Sequence, residues 1–318
     1  MTRKRVLFID LLYSDGGSLD EDMKSITKTV GTDYDVEYLR FDELTGYRAI
    51  LGVFIRVLTR RYDKVVFLSS KVSQLFPLAL LGMKTKCFAI YHYMPSHRRN
   101  FHTTALRILS RFFSFGVYAN GVADQIEVPL GFRPAVLPSR IIDPKTSLML
   151  LREKVAQKKI RLLVPGVRPG VRQEVALGPI SELLEQRLGY QLEEIYIQGE
   201  ISDSGQASEV VRKVGKLSQT EYDNLYESSL IVAVNFHENY EVRASGVILD
   251  ALRGGCLVLS NDHPIIRQYG FPNSIITDIV HLESVISTIN SASYNQALAT
   301  IPGADFDKFR TLWHSFLS

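Results

Sequence analysis

The chain has 318 residues with a 46% apolar fraction, enough for two packed cores, and no tract has the composition of a disordered or collagen-like segment. Its only cysteines, Cys87 and Cys256, lie far apart in apolar runs, which excludes a disulfide framework or thiolate metal site and points to a reducing cytoplasm. The net charge of +3 divides into +7 for residues 1–150 and −4 for 151–318, so the first half expects an anionic partner, and no nucleic-acid recognition module accompanies that charge.

Thr2 to Arg5 followed by VLFIDLLY has the outline of a signal peptide, but Asp10 interrupts it and no small-residue cleavage site follows. Arg5–Leu12 therefore reads as a first buried strand, and no apolar run reaches the roughly 18 residues that span a bilayer. The loop SDGGS holds Gly16 and Gly17, which serve either close backbone approach to a ligand or a tight turn. Asp15 beside them is a general-base candidate for an inverting reaction, or a helix-capping acid. A helix is expected from about Leu19 to Val30, then strands at Tyr34–Leu39, Lys64–Leu68 and Cys87–Tyr91, with short ones at GVYAN and AVLPS. Such alternation predicts a doubly wound parallel sheet. His92 ends one of these strands at the ligand edge, and its spacing to His97 and His102 fits no metal site.

Between Leu44 and Ala123 there are twelve basic residues and one acid, Asp63. Two segments there are amphipathic. Arg48–Arg61 sets Ile50, Leu51, Phe54 and Leu58 apart from its arginines; Arg98–Phe115 sets Leu106, Leu109 and Phe113 apart from Arg107 and Arg111. Arg98, Arg99, Arg107 and Arg111 suit an anionic membrane surface or an acidic acceptor; alternatively they simply face water.

The domain boundary is expected near residue 143, with a linker helix to Lys159 and a strand IRLLVPGVR opening the second half. A helix follows over Gly178–Leu188, then the strand LEEIYIQGE, ending in Gly199, a nucleotide contact or a plain turn. Thr220–Ser228 reads as a surface helix and Leu230–Asn235 as a strand buried on both faces. After the polar loop FHENYEVRA, Ser245 caps a helix that ends at Gly254-Gly255 before the strand CLVLS. This βαβ unit aims the helix start at Ser245-Gly246 toward the carboxyl edge of the sheet, where its free N–H groups suit phosphate. HPIIRQYG is expected to cover that site, and Phe306–Phe316 forms a closing helix around Trp313.

The order GKLSQTEYDNLYESS, strand, acidic loop, small-residue helix start and ALRGGCLVLSND resembles the donor half of GT-B glycosyltransferases, and most nearly the large retaining family 4. The resemblance implies two Rossmann-like domains facing a cleft: residues 1–143 for the acceptor, 144–300 for the nucleotide-sugar donor, and 301–318 as a helix returning toward the first. It implies that Gly166, Arg168 and Arg172 hold the donor diphosphate, with Gln173 where the family has lysine. Lys216 would lie by the base, Asp250 would bind the ribose, and Gly16-Gly17 and His92 would adjoin the donor sugar or acceptor. The family's Glu-x7-Glu pair is altered, because Asp250 stands for its second member and Val242 for its first; Glu238 and Glu241 are the nearby acids. The implied activity is transfer of a sugar from a nucleotide diphosphate sugar to a glycan or lipid-linked acceptor in bacterial surface polysaccharide assembly. No cofactor is expected, and no metal, since the Asp-x-Asp motif of metal-dependent transferases is absent. A non-catalytic GT-B-like partner subunit and a nucleotide-sugar 2-epimerase are the competing readings. The cytoplasm, including the inner face of the cell membrane, is the expected place.

Overall fold

A computed structural model describes residues 3–13, 18–42, 46–95, 98–166, 170–198, 211–215, 217–271, 273–289, 291–301 and 305–318. In chain order the first half runs β1 (Lys4–Tyr13), α1 (Ser18–Val30), β2 (Tyr34–Asp42), α2 (Gly46–Thr59), β3 (Lys64–Ser69) and α3 (Val72–Leu78), which a 3-10 turn extends over Ala79–Met83. β4 (Lys86–Ile90), α4 (Arg99–Leu109), β5 (Phe113–Val117), α5 (Asn120–Leu130) and β6 (Ala135–Val136) complete it. The second half holds α6 (Pro144–Gln157), β7 (Lys159–Val164), β8 (Arg172–Gln173), α7 (Leu177–Glu182), β9 (Gln191–Gln198) and β10 (Val211–Val214). Then come α8 (Gln219–Ser228), β11 (Ile231–Phe236), α9 (Gly246–Arg253), β12 (Leu257–Ser260), α10 (Pro264–Arg267), β13 (Ile276–Thr277), α11 (Ile279–Thr288), α12 (Ser291–Ala299) and α13 (Phe306–Leu317).

Contacts divide the chain into unit 1, residues 1–141, 241–244 and 306–318, and unit 2, residues 142–240 and 245–305. Unit 1 is a parallel sheet in the order β2-β1-β3-β4-β5-β6. Its strands bury both faces, and the period of two sends alternate side chains into two cores. Leu7, Ile9, Val65, Phe67, Cys87 and Ala89 meet α2 to α5 on one side. Val6, Phe8, Val66, Leu68, Phe88 and Ile90 meet α1 and α13 on the other. There Trp313 packs edge-on against Phe8 at 6.0 Å and donates from Nε1 to the Pro138 carbonyl at 2.9 Å.

The amphipathic segment expected over 98–115 is not one helix. α4 ends at Leu109, and Phe113 and Phe115 belong to a strand in which Ser114 alone faces out, so their spacing follows a strand period. GVYAN is likewise divided, since β5 stops at Val117 and Asn120 begins α5, a helix with no counterpart in the expectations.

Unit 2 orders its parallel strands β10-β9-β7-β11-β12-β13, with β8 antiparallel on the end of β11. One continuous core joins Leu162, Val232, Val258, Ile248 and Leu252. Gly255, at φ +69°, turns α9 into β12, and a Cβ there would stand 2.3 Å from the Ser147 carbonyl oxygen, so only glycine fits. Beneath that turn Lys154 is buried, donating from Nζ to the carbonyls of Gly254 at 2.5 Å, Ser229 at 2.8 Å and Tyr226 at 3.2 Å. These carbonyls end α8 and α9, where the helix dipoles are negative.

Candidate functional site

In open parallel sheets a ligand sits beyond the carboxyl ends of the strands, where the strand order reverses direction. In unit 2 that point lies between β7 and β11, the first and fourth strands of an order equivalent to 3-2-1-4-5-6. Gly166 follows β7, its N–H donating to the Val164 carbonyl at 2.9 Å. Arg172 sits on β8, whose pairing with Phe236 fixes its backbone against the end of β11. Arg168, Gly199 and Lys216 lie outside the described residues.

The α9 start stands at the same edge. The Ser245 hydroxyl accepts from the Ile248 N–H at 3.5 Å, and the Ser245 N–H donates to the Tyr269 hydroxyl at 2.7 Å. Tyr269 comes from the HPIIRQYG run and stacks on Phe271, with centroids 4.8 Å apart. Asn261 pins the strand ends, accepting from the Phe236 N–H at 2.8 Å and donating to its carbonyl at 2.9 Å. His263 is 2% exposed, its ring tilted against Phe236 at 5.5 Å. Burial holds its pKa below the usual histidine value, against the pull of the His237 and Glu238 backbone, so the ring stays neutral at pH 7. Glu238 is exposed in the loop after β11 and touches Asn239.

Asp250 stands at the α8–α9 contact. Only 3% exposed, it accepts from the Tyr222 hydroxyl at 3.1 Å and lies 3.5 Å from the Arg253 guanidinium. Nothing in the spacing of Asp250 announced that partner; Tyr222 is visible in the sequence only as one apolar position of a surface helix.

Unit 1 has its own reversal point, between β1 and β3. Asp15, Gly16 and Gly17, which follow β1, lie outside the described residues. What the structure places at this edge is Asp10, 1% exposed, where the registers of β1 against both neighbours shift. Its carboxylate accepts from the Ser69 hydroxyl and from the Leu12 N–H at 2.9 Å. An acid interrupting an apolar strand was the available signal for it. His92 lies beside this group. Its Nε2 is 2.6 Å from the Leu68 carbonyl, which can only accept, so that nitrogen carries the proton and Nδ1 keeps a lone pair. Burial lowers the His92 pKa, Arg243 lowers it further, and the Leu68 carbonyl and Asp10 oppose them. The Tyr118 hydroxyl, 5.6 Å ring to ring from His92, is buried and has no hydrogen-bond partner among the described residues. Asp22 and Arg140 form a buried pair at 2.9 Å in the same unit.

Residues 241–244 belong to unit 1 although they interrupt the sequence of unit 2. Arg243 lies over the Tyr93 ring at 3.9 Å and pairs with Glu241 at 3.1 Å. Sequence reasoning passed over Arg243, because membership of this group is a tertiary fact. Arg98, Arg99, Arg107 and Arg111 are all exposed. Among the described residues no cluster of three or more His, Cys, Asp or Glu side chains is placed to hold a metal, and no helix is long and apolar enough to cross a membrane.

No family model and no curated protein sequence matches the chain. Solved structures do. HepE of Anabaena, in complex with UDP and glucose, is 15% identical over 99% of both chains, with a TM-score of 0.63. Trehalose 6-phosphate synthase of Burkholderia multivorans is 10% identical, covering 100% of this chain and 98% of its own, at 0.62. The UDP-forming trehalose-phosphate synthase of Burkholderia xenovorans, in complex with glucose-6-phosphate, is 9% identical over 99% of this chain and 100% of its own, at 0.61. The architecture shared over these whole lengths is the two-domain α/β fold of GT-B glycosyltransferases.

Proposed function

We propose that this GT-B chain is a glycosyltransferase that moves a sugar from a nucleotide diphosphate sugar, with a UDP donor first in order, to a glycan or lipid-linked acceptor of bacterial surface polysaccharide. The observation that carries this reading is the whole-length likeness to HepE, whose structure holds UDP and glucose.

On this reading unit 2 receives the donor. Arg168, Arg172 and the α9 start at Ser245-Gly246 neutralise the diphosphate as it becomes the leaving group, a task that lowers the barrier by opposing developing charge. Gly166 leaves room for the backbone to approach, Gly199 and Lys216 adjoin the nucleoside, and Asp250 faces the ribose once Tyr222 yields. Unit 1 receives the acceptor by His92, with Gly16, Gly17 and Asp15 as further contacts. The neutral His92 offers an acceptor lone pair to a sugar hydroxyl, and Glu238 and Glu241 supply the acidic contacts of the donor loop. No metal is needed, because arginines replace the cation.

A second reading has one observation behind it. Val242 replaces the first acid of the family pair, and Asp250 is already satisfied by Tyr222, which fits a nucleotide-binding partner subunit without turnover. Thermal melts and calorimetry with UDP, GDP and ADP, followed by assay of UDP release from UDP-sugars, separate the two. A nucleotide at about one hundred times its Kd adds about 2.7 kcal/mol of stability. Binding with turnover supports transfer, binding without turnover over a panel of acceptors supports the partner subunit, and absence of any nucleoside diphosphate binding overturns both.

A further inference from the structure

Twelve large apolar side chains are strongly exposed among the described residues, and eight of them lie on three neighbouring helical segments of unit 1. α2 presents Leu51, Ile55 and Leu58, which are 61%, 55% and 60% exposed. The spacing i, i+4, i+7 makes them one stripe. α3 and its 3-10 extension repeat that spacing with Phe76, Leu80 and Met83, the last 75% exposed. α4 presents Phe101 and Ile108, two turns apart. α3 packs against both α2 and α4, so the stripes adjoin. The inner faces of the same helices are already buried on the sheet through Ala49, Ile50, Val53, Leu75, Leu106 and Leu109. α2 is therefore apolar on two sides, and the outer side is surplus to folding.

The charge around these stripes has one sign. Arg48, Lys84, Arg98, Arg99, Arg107 and Arg111 are exposed on or at the ends of these helices, and none forms an ion pair among the described residues. Four other cations of the region are committed elsewhere: Arg56 and Arg60 to Glu37, Lys86 to the Ser318 carbonyl, and Lys64 by burial. The only acid between Arg48 and Arg111 is Asp63, which accepts from the Arg5 backbone N–H.

We infer that the α2–α3–α4 face docks on an anionic lipid bilayer, with the apolar stripes entering the headgroup boundary and the six cations meeting lipid phosphates. Charge complementarity selects this occupant. A second copy of the chain would bring like cations together, and an acidic polysaccharide would leave eight apolar side chains uncovered. The inference stands apart from sugar transfer, so its failure leaves that reading untouched.

The test is co-sedimentation of the full chain with phosphatidylcholine vesicles and with phosphatidylcholine–phosphatidylglycerol vesicles. Each basic residue at such a surface multiplies affinity roughly fivefold, so Arg107→Gln with Arg111→Gln should lower binding to anionic vesicles about thirtyfold. Leu80→Gln with Met83→Gln should lower it more than about tenfold, since two exposed side chains lose their apolar burial. Salt at about 1 M, where the Debye length is about 3 Å, should release the protein. Circular dichroism and melting midpoint show that each variant is folded, and the arginine pair, exposed and outside the core, keeps the test valid if the apolar pair misfolds. Equal binding to both vesicle types, indifference to the arginine changes, or vesicle-independent self-association that covers the face would each overturn the inference.

Discussion

Replacing Lys154 by methionine should destabilise unit 2 more than any exposed substitution, and the structure gives the magnitude. The ammonium places three carbonyl oxygens within 3.2 Å, at the ends of α8 and α9. Methionine keeps the stem's apolar packing and removes the donor. The carbonyls of Tyr226 and Ser229 retain a weak partner in the Cys256 thiol, at 3.0 and 3.1 Å, whereas Gly254 loses its cation outright. A buried acceptor left without its donor costs about 1–3 kcal/mol, and removing a buried charge returns part of its desolvation cost. The net expectation is a loss of about 2–4 kcal/mol, a large share of the roughly 5–15 kcal/mol that holds a domain folded. Urea titration of wild type and Lys154→Met, followed by circular dichroism, measures this directly, and the thermal midpoint should fall by roughly 5–15 °C. A variant as stable as the wild type would show that desolvation outweighs the carbonyl contacts and that the cage is not what fastens α6 to the turn after α9.

Three other outcomes are expected. Arg168→Ala should raise the nucleoside diphosphate Kd roughly tenfold in calorimetry, the value of one charge-assisted contact of about 1.5 kcal/mol, and an unchanged Kd removes that arginine from the site. Transfer activity should persist in EDTA; activity lost to the chelator and restored by magnesium or manganese would contradict arginine-based charge neutralisation. The Glu37 carboxyl is held below its usual value because Tyr62 and Arg56 hydrogen-bond it and the Arg56 and Arg60 charges attract it, together outweighing its desolvation. Stability from a depressed carboxyl is present above the unfolded value near 4.5 and lost as pH falls through the folded one. Glu37→Gln should therefore flatten the acid side of the pH–stability curve, and an unaltered slope between neutral and acid melts would refute the linkage.

What was legible in the sequence follows from period. Runs such as KVVFL and LIVAVN announce strands buried on both faces, because no surface position tolerates that many β-branched residues in a row. The α8 helix was expected from Thr220, and the reciprocal capping box of Ser218 and Glu221, which that reading did not use, starts it at Gln219. Phe113 and Phe115 misled, since phenylalanines two apart near a helical stripe match either period until the partner strand is known. The sequence set Ile50, Leu51, Phe54 and Leu58 on one apolar side, and packing divides that side, since α2 turns Ile50 and Val53 inward and Leu51, Ile55 and Leu58 out. In the site, Ser245 and its βαβ unit could be read because a cap and two glycines mark local backbone. Asp10 showed only as an acid interrupting an apolar strand, and Tyr222 and Arg243 not at all, since each gains its partner from a residue remote in sequence: Ser69, Asp250 and Tyr93.

The placement of α13 bears on how the chain is made. Phe309, Trp313 and Leu317 complete the core that holds Val6, Phe8, Val66, Leu68 and Phe88. During vectorial synthesis, the first strands leave the ribosome with that face covered by α1 alone, and the helix that completes it is the last described element to be translated. Unit 2 has all of its own residues by position 305. It is able to fold first, while the earlier-made unit waits with part of one apolar face exposed to chaperones and to neighbouring chains. A ribosome stalled before residue 306 thus leaves the older half of the protein, not the newer, as the aggregation-prone one.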